Sequence, residues 1–300
     1  MDIRELEYFK MVAEMGNFTR AANKLCISQP SITVAIKKLE EELGVILFDR
    51  NKNLVMLTNE GEIFLKRVDK ILMDLNNAVL EMNEFNTINK EVINLGIPPM
   101  IGASLLPKLI KKYKRNNKNV ELIIHEFGSV DIIDLLEKDE LDIGLIILNN
   151  SSDLLETQKI ATGEIVVCLP KYHPLKDLEA IPFKILKNET FIMIEGGNNI
   201  RKKVLEECEK NKFKPKNIYS FKLFENIKNL VSNGIGISFF LDSTVSNNEK
   251  IIFRSLEEPL YIDIAIAWKK DKFLIKYQRE LIDFMKSNYF EEMDINKIKN

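Results

Sequence analysis

Apolar positions recur at helical spacing in the first part of the chain. Leu6, Phe9 and Val12 form one face, Ala21, Ala22 and Leu25 a second, and Ile32, Ile36 and Leu39 a third. This predicts three short helices within residues 1–60. The pattern then breaks at NKNLVMLTNEG, where Leu54, Met56 and Thr58 alternate as in a small strand. A two-stranded hairpin behind a helical hairpin would make a wing. From Glu62 a longer helix is predicted, with Leu65, Val68, Leu72, Leu75, Val79 and Met82 at alternating spacings of three and four. That spacing is the seam of a coiled coil. A single apolar stripe of this length needs a cover. An identical helix of a second chain is the simplest one, and packing on the chain's own effector domain is the alternative. Asparagines at 76, 77, 83, 86 and 89 close the element, and a hinge is expected over 85–90.

Beyond residue 90, strands alternate with helices. EVINLGI, VELIIHEF and LDIGLIIL read as strands, with helices at ASLLPKLIKKYKRNN and VDIIDLLEKDE between them. Near Ile160 the pattern restarts. GEIVVCLP, NETFIMI, NIYSFK and IGISFFL read as strands, NIRKKVLEECEKN and LFENIKNLVSN as helices. LYIDIAIAWKK is a long late strand, and a last helix runs from about 273 to 289. Short apolar strands divided by amphipathic helices predict an α/β fold with a parallel sheet covered on both faces. Two such units predict a bilobed domain over 91–300, lobe 1 at about 91–160 and 267–300, lobe 2 at about 161–266. Small-molecule sites favour the cleft between such lobes.

The joint between the second and third helices carries the first chemical signal. Ser28 precedes a helical run and can cap it, and Pro30 falls in the first turn, where a missing N–H does no harm. The third helix buries Ile32, Ile36 and Leu39. This leaves Gln29, Ser31, Thr33, Val34, Lys37 and Lys38 nearer the outside. Short polar residues, an amide and lysines suit a helix in a DNA major groove. Thr19 and Arg20, with Arg50, Lys52 and Asn53 of the wing, would hold the backbone. Residues 17–58 hold six basic and four acidic side chains, and the whole 300-residue chain has a formal net charge of -2. Basic charge is therefore local, and a hairpin used for packing or dimerisation remains open on pattern alone.

Composition removes other classes. Only His125 and His173 are present, and no His/Cys/Asp/Glu set has metal spacing, so no metal, cofactor or catalytic residue is expected. His173, in KYHPL, has no assignable base or nucleophile and reads as structural. Cys26, Cys168 and Cys208 are far apart and read as free thiols of a reducing cytoplasm. The charged first residues MDIRELEYFK and the lack of any long apolar run predict a cytoplasmic protein with no membrane segment.

The N-terminal stretch closely resembles the winged helix-turn-helix of LysR-type transcriptional regulators. The resemblance rests on Phe9, Phe18, Ala21, Ala22, Leu25, Ser28, Gln29, Pro30, Ser31, Leu39, Glu40, Leu43, Gly44, Leu47, Phe48, Arg50, Leu57, Thr58 and Gly61 at fixed offsets. Thr33 stands where serine is usual, keeping the hydroxyl. Weaker matches follow through the strand ending LGI, Leu106-Pro107, Gly144, His173-Pro174-Leu175 and Gly234-Ile235-Gly236. The resemblance implies a DNA-binding domain at 1–60, a linker helix at 61–90 that dimerises, and a periplasmic-binding-protein-like effector domain at 91–300. It implies a homodimer, commonly a dimer of dimers, on double-stranded promoter DNA with inverted repeats, with RNA polymerase as a further partner. An effector would bind in the cleft. A dimeric small-molecule-binding or protein-interaction α/β module without specific DNA binding is the alternative.

By the same resemblance the cleft is lined by Pro98, Pro99, Met100, Ile101, Gly102, Ala103 and Ser104. Helix-start amides there favour a carboxylate, although Met100 and Ile101 make this entrance less polar. Gly128 and Ser129, then Gly196, Gly197, Asn198 and Arg201, precede or open further helices. Turn and cap roles account for Gly128, Gly196 and Ser129 equally well. Family members that sense peroxide use a cysteine pair in the effector domain, and neither Cys168 nor Cys208 lies in such a context.

Overall fold

The computed structural model describes residues 1–49, 55–83, 91–148, 152–195, 199–244 and 250–289. The chain forms two compact units, Met1–Thr87 and Ile88–Asn300.

In the first unit each helix is delimited by its own chemistry. Helix α1 (Ile3–Met15) starts at a capping box, in which Asp2 accepts from the Glu5 amide at 2.9 Å and Glu5 accepts from the Asp2 amide at 2.8 Å. It ends at Gly16 with φ 58°. Asn17 caps α2 (Phe18–Lys24) by accepting from the Thr19 and Arg20 amides at 2.9 and 3.0 Å. Ser28 caps α3 (Gln29–Leu43), which stops at Gly44. Strands β1 (Phe48–Asp49) and β2 (Met56–Leu57) pair antiparallel as the base of the wing. Helix α4 (Asn59–Asn83) follows, its first turn capped by Thr58, whose hydroxyl accepts from the Gly61 amide at 3.0 Å.

The core of this unit comprises Phe9, Val12, Ala21, Ile32, Ile36, Leu39, Leu47, Phe48 and Val68. Phe9 packs against Phe48 and Phe64 at centroid distances of 5.3 and 5.1 Å. Burying each large apolar side chain contributes about 1.5–3 kcal/mol. Val68 is fully buried and Leu65 and Leu72 are packed against the same core. The inner half of the stripe thus packs on α1 to α3 of the same protomer, completely at Val68 and in part at Leu65 and Leu72. Periodicity reveals a stripe but not what lies on it. Leu75, Val79 and Met82 remain exposed, joined by Ile71.

The second unit begins with β3 (Glu91–Ile97), α5 (Pro99–Lys108), a π turn over Leu109–Tyr113 and α6 (Lys114–Asn116). The helix expected from 103 thus starts four residues earlier, at Pro99. Pro107 lies inside it and has no N–H to donate, and the wider turn follows directly. Next come β4 (Val120–Glu126), α7 (Ser129–Glu137), β5 (Ile143–Leu148) and the sixteen-residue β6 (Leu155–Pro170). Then follow β7 (Ala180–Ile181), β8 (Thr190–Ile194), α8 (Asn199–Lys210), β9 (Asn217–Phe221), α9 (Phe224–Ser232) and β10 (Ser238–Leu241). The last elements are β11 (Ile251–Leu256), β12 (Leu260–Lys269) and α10 (Lys276–Tyr289).

The main sheet runs β4-β3-β5-β12-β6-β11-β7, with β10 also on β6. Only its β4-β3-β5 part and the β11–β7 pair are parallel. Strand β12 is antiparallel to both β5 and β6, and β10 and β11 are antiparallel to β6, so the sheet is mixed rather than parallel throughout. Strands β6 and β12 join the two lobes as a continuous ladder. Its register shifts once, where Ile264 faces Ala161 and Ala265 faces Lys159, leaving Ile160 as the extra residue of a bulge. Strands β8 and β9 make a separate parallel pair in the second lobe.

Candidate functional site

The helical hairpin presents one clear surface. On α3, Ile32, Ile36 and Leu39 are fully buried, while Gln29, Ser31, Val34, Lys37 and Lys38 are exposed and Thr33 is half-buried. Val34 is 65% exposed and belongs to none of the buried clusters among the described residues. The Ser31 amide donates to the Ser28 hydroxyl at 3.3 Å, and the two hydroxyls share a 2.7 Å bond. Gln29 Nε2 donates to Thr33 Oγ1 at 3.2 Å, and that hydroxyl donates to the Gln29 carbonyl at 3.0 Å. The amide is thus steered by one turn of helix, with its carbonyl oxygen and second N–H left for another partner. Thr19 and Arg20 are exposed on the first turn of α2. Arg50, Lys52 and Asn53 lie outside the described residues.

Lys38 also has a partner within the unit. Its Nζ lies 2.6 Å from Glu5 Oε1 on α1, a pairing that sequence spacing cannot reveal across 33 residues. The hydrogen bond from Lys38, followed by that from the Asp2 amide, holds the Glu5 carboxyl below the ordinary glutamate value. The acidic triplet that ends α3 is also partly engaged. Glu40 Oε1 accepts from the Leu47 and Phe48 amides at 2.9 and 3.2 Å, which orients the entry to β1. Glu42 pairs with the amino terminus of Met1. Lys37 is therefore the α3 lysine without such a tie among the described contacts.

A cavity of about 860 Å³ opens in the second unit, between the ends of β3, β4, β5, β8 and β9. Of the expected residues, Pro99, Met100, Ile101, Gly128 and Ser129 line it, whereas Gly102 and Ala103 do not. Met100 and Ile101 are 6% and 0% exposed, so their side chains chiefly pack the wall. Gly196 and Asn198 lie outside the described residues. Ser129 is buried, and its hydroxyl accepts from the Ile147 amide at 3.0 Å. From the other lobe, Asn199 Nδ2 donates to the Ile147 carbonyl at 3.2 Å. The backbone of Ile147 is thus held from both walls. Arg201 turns away to donate to Ser220 at 2.8 Å.

Sequence reasoning missed the charged lining, Glu126, Asp131, Glu195 and Lys222. Three of these directly end or follow strands β4, β8 and β9, where α/β clefts collect ligands, and that position was the available signal. His173 Nδ1 accepts from the Leu175 amide at 3.2 Å and its Nε2 lies 3.5 Å from Glu189, a loop-stabilising arrangement. Burial pushes the thiols of Cys168 and Cys208 up, to about 12 and about 11. Among the described residues no His/Cys/Asp/Glu group could hold a metal ion, and no helix is long and apolar enough to cross a membrane.

A helical hairpin with an exposed polar face on one unit and a ligand-sized cleft in the other are the parts of a ligand-responsive DNA-binding protein. Residues 3–62 match the bacterial regulatory helix-turn-helix of the lysR family, and 89–289 match the LysR substrate binding domain, so the chain belongs to the LysR family of transcriptional regulators. It is 31% identical to the uncharacterized HTH-type transcriptional regulator YwbI of Bacillus subtilis, over 96% of each chain. It is 29% identical to the HTH-type transcriptional regulator AlsR of the same organism, over 90% of this chain and 91% of that one. Among solved structures, full-length OxyR from Pseudomonas aeruginosa matches with a TM-score of 0.67 at 26% identity, covering 96% and 94% of the two chains. Full-length BenM matches at 0.61 and 25%, covering 96% and 97%.

Proposed function

We propose that the protein acts in the cytoplasm as a dimer or tetramer on inverted-repeat promoter DNA, that an effector in the interlobe cleft changes the relative placement of the DNA-binding dimers, and that RNA polymerase is a further partner. The observation that carries the DNA reading is the split of α3, with three fully buried aliphatic residues behind an exposed face of Gln29, Ser31, Val34 and Lys37. Gln29 is suited to an adenine edge and Lys37 to a phosphate. Gel shifts with the protein's own upstream region test this. Gln29→Ala should lower the ratio of operator to random-DNA affinity by about tenfold, whereas Lys37→Ala should weaken both and reduce the salt slope by about one. A folded dimer that binds neither DNA at low salt would sink the reading.

Dimerisation rests on the outer half of α4. Ile71, Leu75, Val79 and Met82 form an exposed stripe at helical spacing, suited to the same stripe of a second copy. The double variant Leu75→Ser, Val79→Ser should weaken the dimer at least about a hundredfold, since each loses a buried aliphatic contact on both chains. Sedimentation showing an unchanged dimer would reject this seam.

One relative, 26% identical, is the hydrogen peroxide-inducible genes activator of Haemophilus influenzae. Peroxide reacts with thiolates, and both effector-domain thiols here are buried and raised in pKa. Their state supports a metabolite effector rather than an oxidant.

A further inference from the structure

The lining of the cleft narrows the class of effector, provided that the cleft is the effector site proposed for this regulator. Its charges are unbalanced in sign. The first lobe contributes Glu126, at the end of β4, and Asp131, in the first turn of α7. The second contributes Glu195 after β8 and Lys222 after β9, the single cation among the described lining residues. All four side chains are exposed to the cleft solvent, and none of the ion pairs among the described residues uses them.

The entrance that would suit an anion is also altered. Pro98 and Pro99 remove two successive N–H donors where α5 begins. Glu126 Oε1 reaches the same turn, 3.3 Å from where a Cβ on Gly102 would sit. The chain thus places its own carboxylate beside the positive end of this helix, and a second carboxylate there would meet repulsion. Apolar surface is present as well, since Phe127 is 40% and Val130 57% exposed and both line the cavity.

We propose that the effector is a small organic ammonium compound whose charge is held by carboxylates of both lobes and whose carbon skeleton lies on Phe127 and Val130. Both walls carry a carboxylate, so an ammonium held between Glu126 and Glu195 would gain a charge-assisted hydrogen bond from each lobe. The ligand then acts as the counter-ion that draws the walls together. Lys222 can pair with a ligand carboxylate, which brings amino acids into the class and leaves dicarboxylates outside it.

The test is a thermal-shift and calorimetric panel on the full chain with putrescine, phenethylamine and L-lysine. Adipate and phenylpropionate serve as the anionic counterparts. At least one amine should raise the effector-domain transition by about 5 °C at a hundredfold excess over its Kd, with no comparable shift from its counterpart. Glu126→Gln and Glu195→Gln, which remove charge from exposed positions, should each raise that Kd about tenfold. The proposal is overturned if no amine shifts the transition, if a counterpart stabilises as much as its amine, or if both variants keep wild-type affinity. A parallel gel shift on the wild-type protein without any probe separates the two readings. Loss of DNA binding there counts against the regulator assignment, while intact DNA binding confines a failure to the effector class.

Discussion

Gly61→Ala should lower the melting of the first unit by more than about 10 °C while leaving the transition of the 88–300 unit in place. A Cβ at this position would lie 2.2 Å from the Leu47 carbonyl oxygen and 3.1 Å from its carbon. Both are backbone atoms, so no rotamer change relieves the clash. Nor can Leu47 retreat freely. Its carbonyl accepts from the Thr58 amide at 2.9 Å, and the neighbouring Ile46 carbonyl accepts from the Thr58 hydroxyl at 2.7 Å. One methyl group therefore separates β1, β2 and α4 at their common junction, for a cost of about 3 kcal/mol or more. A small unit has only about 5–15 kcal/mol in total. Calorimetry resolving two transitions would check this, and an unmoved lower transition would show that the junction is softer than the contacts indicate.

Val34→Glu should reduce affinity for every DNA by at least about a hundredfold with the melting of both units unchanged. The residue is 65% exposed and packs against no core, so the fold loses nothing. In a groove, however, the new carboxylate would face phosphates and base acceptors, a juxtaposition that costs several kcal/mol, roughly tenfold per 1.4 kcal/mol. The isosteric Val34→Thr should bind nearly as the native protein does. Normal binding by the glutamate variant would move the DNA surface off this face of α3.

The two predictions differ in how legible their residues are in the sequence. Ser28, Gln29 and Pro30 lie within three positions of one another, so local rules of capping and helix geometry are enough to locate α3 and orient its faces. The same locality makes the strands β3, β4, β5 and β12 readable as short apolar runs. Strand β6 reads only from Gly163, eight residues late, because its start, LETQKIAT, is mostly polar and finds its pairing only on β12, about a hundred residues on. Strand β11 escapes the pattern for a related reason, since IIFRSL carries Arg254 and Ser255 and is defined by its neighbours β6 and β7. The seam of α4 is visible as a stripe, but the division between Val68, inside, and Val79, outside, depends on where α1 to α3 end. Lys38 looks like its neighbour Lys37 until Glu5 is brought beside it. The charges of the cleft, 126, 131, 195 and 222, are collected from four separate stretches of chain, and no window of sequence contains them together.

The bulge at Ile160 has a mechanical meaning. Lobes connected by loops would swing freely, whereas these are connected by hydrogen-bonded ladder on either side of one unpaired residue. Bending the ladder elsewhere would sacrifice bonds, but at the bulge the strand already carries extra twist and one residue without a register partner. The compliance of the domain is thus concentrated at one rung, like the crease in a stiff sheet. A rotation of one lobe against the other would therefore cost the fewest ladder bonds at this rung.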